Sequence, residues 1–418
     1  MMNFNEEAMK LREKTHGLLD TMPRVALKTR DDLSTCYTPG VAQPCLEIQK
    51  DKDLSFDLTC RGNLIAVVTD GTRVLGLGDI GPEAALPVME GKSLLFKVFG
   101  GVNAVPICID TKDEDKFIKT VKRIQPSFAG INLEDIESPK CYAIEKALRK
   151  ELDIPVFHDD QHGTAIAALS GVLGALRFVK KDLKDAKIVI NGAGAAGSSI
   201  AKLLLRAGAE HLLIVDRKGI IHKKRMKLNP VQKELAEITN PKNHEGTLLD
   251  AATGADVLIG VSVAHVFTPE VLGAMNKDAV VFAMANPVPE VDYETAKKAG
   301  IRVVGTGRSD APNQINNVLV FPGVFRGALA VRARKINEDM KLAASYAIAH
   351  LIPEEELSET YVIPDSFDTR VAPAVAAAVA KAAMDSGISR IEKDPAEVQK
   401  EATEDIAKLH AMIDMLHK

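Results

Sequence analysis

The 418-residue sequence has no tryptophan, and aromatic residues make up only 4% of it. Stacking platforms for nucleobases are therefore lacking, and the cores must be built from Ala, Val, Ile and Leu. No basic excess exists either: 53 Lys and Arg stand against 57 Asp and Glu, a formal net charge of −4. Neither a nucleic-acid footprint nor a charged tail is expected from that balance. The cysteines (Cys36, Cys45, Cys60, Cys108 and Cys141) are an odd number without a C-x-x-C pair, all within the first 141 residues. Structural zinc and a disulfide framework are disfavoured, and a reduced, intracellular protein is the expectation. No stretch reaches 18 uncharged apolar residues, and MMNFNEEAMKLREK at the start carries no apolar signal core. Neither a membrane span nor export is therefore expected, and the expected location is cytoplasmic. Internal repeats and low-complexity stretches are also missing.

What is there is an ordinary globular composition, 46% hydrophobic and 26% charged, with enough apolar surface to offset chain entropy. The length predicts two or three domains. From residue 187 onward, apolar runs alternate with amphipathic helical stretches: KIVING (187–192), HLLIVD (211–216), ADVLIGVS (255–262), AVVFAMAN (279–286) and RVVGTG (302–307). Strands apolar on both faces and separated by helices form a parallel sheet covered on both sides, a doubly wound α/β domain of Rossmann type. Earlier, NLIAVVTD (63–70), AVPICID (104–110) and IPVFHDD (154–160) alternate with helical patterns and predict a smaller α/β domain. The expected division is 1–161, 162–390, and a charged helical tail over 391–418 whose packing the pattern does not define.

The stretch KIVINGAGAAGSSIAKLLLRAGAEHLLIVD carries the most specific signal. Gly192, Ala193, Gly194, Ala195, Ala196 and Gly197 give G-x-G-x-x-G directly between a strand and a helix. The first glycine permits the tight turn, the second lets backbone approach a pyrophosphate, and the third allows close helix–strand packing. Asp216 ends the next strand, where a carboxylate can accept hydrogen bonds from the adenosine ribose hydroxyls. A packing turn in an α/β sheet is the bland alternative, but strand, helix and acid are all in register. Asp216 favours NAD over NADP, because it would repel a 2′-phosphate; Arg217 and Lys218 follow at once and could pair with that phosphate.

Two acid pairs, Glu134–Asp135 in GINLEDI and Asp159–Asp160 in VFHDDQHG, end apolar segments of the first domain. Both can reach the C-terminal rim of a parallel sheet, where ligand sites gather. Carboxylates converging there repel each other unless a cation intervenes, and such oxygen donors suit Mg²⁺ or Mn²⁺. Either pair alone reads equally as helix-terminal acids or loop salt bridges. His158 and His162 flank the second pair and read as structural hydrogen-bonding residues.

YTPGVA (37–42) is a turn-rich segment presenting Tyr37, and RVLGLGDIG (73–81) is too rich in glycine for a regular element. Lys92 lies in an apolar helix-like run, so burial is expected to lower its pKa toward that of a general base. Alone, Lys92 reads as a snorkelling lysine and Tyr37 as a packing residue.

The ordered set YTPGVA, GTRVLGLGDIG, EGKSLLFKVFGG, INLEDI, FHDDQHGTA, INGAGAAG, FAMANPVPE and NQINNVLVFPG closely resembles malic enzyme in its short bacterial form, over roughly residues 15–390. Forms with a phosphotransacetylase-like domain, and the large eukaryotic type, are longer. The resemblance implies oxidation of L-malate by NAD(P)⁺ and decarboxylation to pyruvate and CO₂. It further implies Lys92 as general base, Tyr37 as general acid, and Glu134, Asp135 and Asp160 as ligands of Mg²⁺ or Mn²⁺, with Asp159 behind them. Arg73 matches a malate-carboxylate contact. Asn286 and Asn317 match amides at substrate or nicotinamide ribose, Asn316 being the alternative to Asn317. A homodimer or higher homo-oligomer is implied, and the early position of Tyr37 leaves open whether a neighbouring subunit completes the site. A soluble oxaloacetate decarboxylase on the same scaffold is the runner-up, and a silent NAD-binding protein is a third reading that the intact residue set disfavours. Malate-to-lactate decarboxylases are relatives whose likeness is expected in longer chains.

Overall fold

The computed structural model describes residues 4–416. Among the described residues ten strands form two sheets: β1 (Leu64–Thr69), β2 (Asn103–Cys108), β3 (Gly130–Leu133) and β4 (Val156–His158) in the first, in the order β2-β1-β3-β4. The second holds β5 (Lys187–Asn191), β6 (His211–Asp216), β7 (Gly219–Ile220), β8 (Val257–Gly260), β9 (Val280–Ala283) and β10 (Val303–Thr306), in the order β10-β9-β8-β5-β6-β7. Every pairing is parallel except β6 with β7, a short hairpin that the apolar pattern did not announce. Strands buried on both faces, such as VVFA of β9, account for the parallel arrangement. In the second sheet β5 lies between β8 and β6, so the chain reverses direction across the sheet beside it. A ligand crevice opens at such a switch point, at the C-terminal ends of the strands.

The Asp159–Val179 helix follows β4 and leads toward the second sheet. Its most apolar 18-residue window has a mean hydropathy of 1.3, enough to cross a membrane by length and composition although it is not an unbroken apolar run. That window is 72% buried inside the fold, as befits a central core helix.

After β10 the chain returns to the first sheet. Phe321 and Phe325 of the Phe321–Ala330 helix pack on Phe96 of the Pro82–Gly100 helix, with ring centroids 4.5 and 5.3 Å apart. Gly100 makes that contact possible, since a Cβ there would stand 2.9 Å from the Pro322 backbone and ring. The tail is a single helix, Pro395–Leu416, burying Val398, Ala402, Ile406 and Leu409 along one face. His410 bonds the Val98 carbonyl at 2.9 Å and Arg326 pairs with Asp405 at 2.6 Å, so the tail braces the helix that carries Lys92.

The N-terminal arm is different. Residues 4–50 contain no buried residue, and Met22, Val25, Leu27, Leu33, Tyr37 and Leu46 are exposed.

Candidate active site

At the C-terminal rim of the first sheet, Glu134 follows β3 directly and Asp159 and Asp160 follow β4. Adjacency of these strands brings one oxygen each of Glu134, Asp135 and Asp160 within 4.8 Å of one another. Asp135 takes a left-handed backbone (φ 52°), which turns the chain and lets its N–H donate to Asp160 at 3.0 Å. Lys92 reaches the same rim from the Pro82–Gly100 helix. Its Nζ lies 2.6 Å from Asp159 and 3.0 Å from Glu134, and 4.2 Å from the centre of the Phe321 ring. Asn132 donates to the other Glu134 oxygen at 2.9 Å, and Asn317 donates to Asp159.

Four carboxylates thus face one lysine and His158, which stands 3.4 Å from Asp160. Burial raises the carboxyl of Asp135 to about 7, with Asp160 adding to it. Glu134 is held well above the ordinary range, again by burial first. Asp160 goes the other way: burial opposes ionisation, but the His158 hydrogen bond and charge outweigh it. An Asp135 oxygen and an Asp159 oxygen are buried without hydrogen-bond partners. This donor set, all hard oxygens with an excess of negative charge, fits a divalent cation of the Mg²⁺ or Mn²⁺ kind.

Lys92 departs from the expectation of a lowered pKa. Burial does push it down, but Asp159 and Glu134 outweigh burial and hold the ammonium above the ordinary lysine range. An apolar helical run predicts the burial, whereas the two carboxylates come from residues distant in sequence.

The remaining assigned residues divide. Asn317 lies in the cluster through its bond to Asp159, whereas the Asn316 side chain caps the Asn317–Leu319 turn by accepting from Val318 N–H at 2.9 Å. Arg73 anchors its own loop by donating its N–H to Asp135 at 3.1 Å, and its side chain is exposed. Asn286, also exposed, leads into the loop after β9, and the adjoining Pro287 ring stands 3.0 Å from where a Cβ on Gly76 would be. The glycine-rich loop of the first domain and the Asn286 loop of the second therefore meet in contact. Tyr37 is not brought to this cluster: it caps the Arg30–Cys36 helix, 65% exposed.

On the second sheet, the glycine loop has the geometry its spacing predicts. Gly192 has φ 128°, and a Cβ on Gly197 would stand 1.9 Å from the Gly192 carbonyl. Gly194, at the N-cap of the Ala195–Arg206 helix, has open space where its Cβ would be. The loop lies at the switch point beside β5, and the open side of Gly194 is a cradle that a pyrophosphate fits. Asp216, expected to present free oxygens to a ribose, instead has them engaged: Arg225 donates to both at 2.6 Å, Lys218 N–H to one at 2.8 Å and Gln232 to the other at 2.9 Å.

Two supporting residues escaped the sequence reading. Glu145 accepts from Gln161 at 3.1 Å and bonds His162 at 2.7 Å, tying down the turn that carries Asp159 and Asp160. Glu290, fully buried, accepts from Ser262 N–H at 2.8 Å and Ala285 N–H at 3.0 Å, joining the loops after β8 and β9. The only sequence signal for either was its place near a marked motif.

A Rossmann-type domain joined to a second α/β domain with a carboxylate-lined rim defines a two-domain dinucleotide-dependent dehydrogenase. Residues 16–149 match the family model of the malic enzyme N-terminal domain, and residues 161–384 that of the malic enzyme NAD binding domain. The bifunctional malic/malolactic enzyme of Bacillus subtilis is 55% identical over 398 residues, covering 95% of this chain and 97% of that one. The NAD-dependent malic enzyme of Geobacillus stearothermophilus is 55% identical over 379 residues, 91% of this chain and 79% of that one. The crystal structure of malic enzyme from Pyrococcus horikoshii superposes with a TM-score of 0.93 at 47% identity, covering 97% of this chain and 98% of that one. The chain belongs to the malic enzyme family, an NAD(P)-dependent class of oxidoreductase. Relatives named as NADP-dependent match as well. Likeness to a malolactic enzyme is not confined to longer chains, since the Bacillus subtilis protein is matched almost end to end.

Proposed function

We propose that the chain oxidises L-malate at C2 with NAD(P)⁺ and releases CO₂ from the product to give pyruvate, in a divalent-metal-dependent reaction. The observation that carries this reading is Lys92, buried between Asp159 and Glu134 at the rim that also gathers Asp135 and Asp160. Glu134, Asp135 and Asp160 would hold Mg²⁺ or Mn²⁺, which supplies a Lewis acid for the C2 oxygen and the charge that builds there as CO₂ departs.

Lys92 takes the C2 hydroxyl proton as hydride leaves that carbon. To accept it, Lys92 must first shed its own proton, and Asp159 is in place to receive it. Burial already raises the Asp159 carboxyl, so a proton on either partner leaves the pair hydrogen-bonded. Arg73 holds a malate carboxylate, and Asn286 and Asn317 orient substrate and nicotinamide ribose. Tyr37 donates the final proton to C3 of the enol. Its exposure supports a homodimer in which the exposed arm, residues 4–50, packs on a second copy through side chains such as Met22, Val25, Leu27 and Leu33 and brings Tyr37 to that copy's site. Residues 1–161 form the substrate and metal domain, 162–390 the dinucleotide domain and 391–418 the bracing tail, in a cytoplasmic protein.

The test follows absorbance at 340 nm with purified protein, L-malate and Mn²⁺, with NAD⁺ and NADP⁺ in separate cuvettes and an EDTA control. Metal-dependent reduction with pyruvate as product supports the reading. Metal-dependent loss of oxaloacetate without reduction of either nucleotide assigns the decarboxylase instead. The resemblance to a malic/malolactic enzyme makes lactate the product to quantify beside pyruvate.

A further inference from the structure

The Asp216 carboxylate has four acceptor positions, and the fold fills all four. One oxygen takes Lys218 N–H at 2.8 Å and Arg225 Nη2 at 2.6 Å; the other takes Arg225 Nη2 at 2.6 Å and Gln232 Nε2 at 2.9 Å. The donors are themselves fixed. Arg225 Nη1 donates to the carbonyls of Gly219 and Ile220 at 3.1 and 3.4 Å, which locks the guanidinium against the β6–β7 hairpin. Gln232 forms a reciprocal cap with Asn229 at the start of the Pro230–Ile238 helix. The Arg225 and Asp216 side chains keep only 12% and 14% of their exposure, so solvent does little to loosen the pair.

Two consequences follow for the ribose end of the dinucleotide crevice. Ribose hydroxyls find no vacant acceptor on Asp216, which removes the contact that selects a free 2′-hydroxyl. The negative charge that would repel a 2′-phosphate is cancelled within the pair. Arg217 and Lys218, the two residues following Asp216, are exposed and enter no ion pair among the described residues, whereas nearby Lys223 is paired with Glu237 at 2.9 Å.

We propose that Arg225 determines nucleotide specificity by occupying Asp216, so that the adenosine end of the site prefers a 2′-phosphate, held by Arg217 and Lys218, over a free 2′-hydroxyl. The inference rests on the dinucleotide site proposed above and specifies its ligand as NADP.

Binding of adenosine fragments to the full-length protein tests this without turnover. Isothermal titration with 2′,5′-ADP and with 5′-AMP is expected to show at least about tenfold tighter binding of 2′,5′-ADP, the scale of one charge-assisted contact. The double variant Arg217→Gln, Lys218→Gln is expected to lose that advantage while retaining 5′-AMP binding. Arg225→Met frees the Asp216 carboxylate and is expected to shift preference toward 5′-AMP by about tenfold or more. Asp216→Asn, which keeps the hydrogen-bonding shape, is expected to leave 2′,5′-ADP preferred. Equal or tighter binding of 5′-AMP by the unaltered protein overturns the inference and leaves the dinucleotide site standing. Binding of neither fragment removes both. An unchanged preference in a folded Arg225→Met protein overturns the role given to Arg225.

Discussion

Lys92 and Asp159, 67 positions apart in the chain, meet at 2.6 Å with both side chains buried, and Asn317 bonds the same carboxylate oxygen. The Pro82–Gly100 helix supplies one half of this buried pair and the Asp159–Val179 helix the other, both at the rim of the first sheet, and a third segment, arriving after β10, fixes its orientation. Asp159→Asn keeps the size of the side chain but removes the charge proposed above to receive the Lys92 proton. It is expected to lower kcat by about 10²- to 10⁴-fold, the usual worth of a positioned acid–base group. Steady-state kinetics with saturating malate and Mn²⁺ measure this, and retention of more than a tenth of the activity would place the proton elsewhere.

The neighbouring asparagines separate positioning from capping. Asn317→Ala removes the bond to Asp159 and should act on kcat with little effect on stability. Asn316→Ala removes the acceptor for Val318 N–H and should cost about 1 kcal/mol of stability, the ordinary worth of a cap. Thermal unfolding and kinetics on both variants distinguish the roles, and a reversal of the two profiles would return the assignment to Asn316.

The carboxylate rim makes stability depend on pH and metal together. Asp135 titrates near 7 in the folded chain but near 4 when unfolded, so between those values the folded state binds the extra proton. Metal-free stability therefore falls as pH rises through that window. A cation replaces the proton, so the stabilisation by Mn²⁺, read as a rise in Tm, is expected to grow from pH 5.5 to pH 8 and to reach about 2.7 kcal/mol at a hundredfold excess over Kd. Asp135→Asn should abolish most of that growth. A Mn²⁺ shift that is the same at both pH values would rule out Asp135 as a ligand.

How far the sequence alone carries depends on the range of the interaction. Apolar runs such as VVFA of β9 and the spacing of Gly192, Gly194 and Gly197 are local, and the structure has the elements they predict. The acids at 134, 135, 159 and 160 were visible for the same reason, because each ends a strand-like run. What local pattern could not reveal is partnership. The raised pKa of Lys92 comes from carboxylates that follow β3 and β4, and the engagement of Asp216 comes from Arg225 and Gln232, beyond the β6–β7 hairpin. Packing of the tail depends on His410 meeting a carbonyl of the first domain, 312 positions earlier.

Away from the reacting atoms, Glu145 is fully enclosed with His162, and His162 in turn meets Lys341 at 3.0 Å. Burial opposes its ionisation, but His162, followed by Lys341, holds the carboxyl down at about 2. A depressed carboxylate stabilises the fold above its unfolded pKa, and that contribution is lost as pH falls from about 4 toward 2. Glu145→Ala leaves two buried basic groups without their anion and is expected to cost about 3–5 kcal/mol. Urea unfolding at pH 7 reads this directly. A cost below about 1 kcal/mol would show that His162 and Lys341 are satisfied without it.

The placement of Tyr37 is open to a genetic form of test. Tyr37→Phe and Lys92→Met homodimers are each expected to be nearly inactive, since each lacks one of the two groups proposed above to handle protons. If the exposed arm delivers Tyr37 to a second copy, a mixed dimer regains one complete cleft, with Lys92 from one protomer and Tyr37 from the other. Its second cleft carries both substitutions. Random mixing makes half the dimers mixed, so unfolding and refolding the two variants together should restore about a quarter of the unaltered activity. If Tyr37 serves its own chain, every cleft in the mixture keeps one lesion and no activity returns. The arm would then have to fold back over its own cleft, leaving the exposed Met22, Val25, Leu27 and Leu33 to be buried within one protomer.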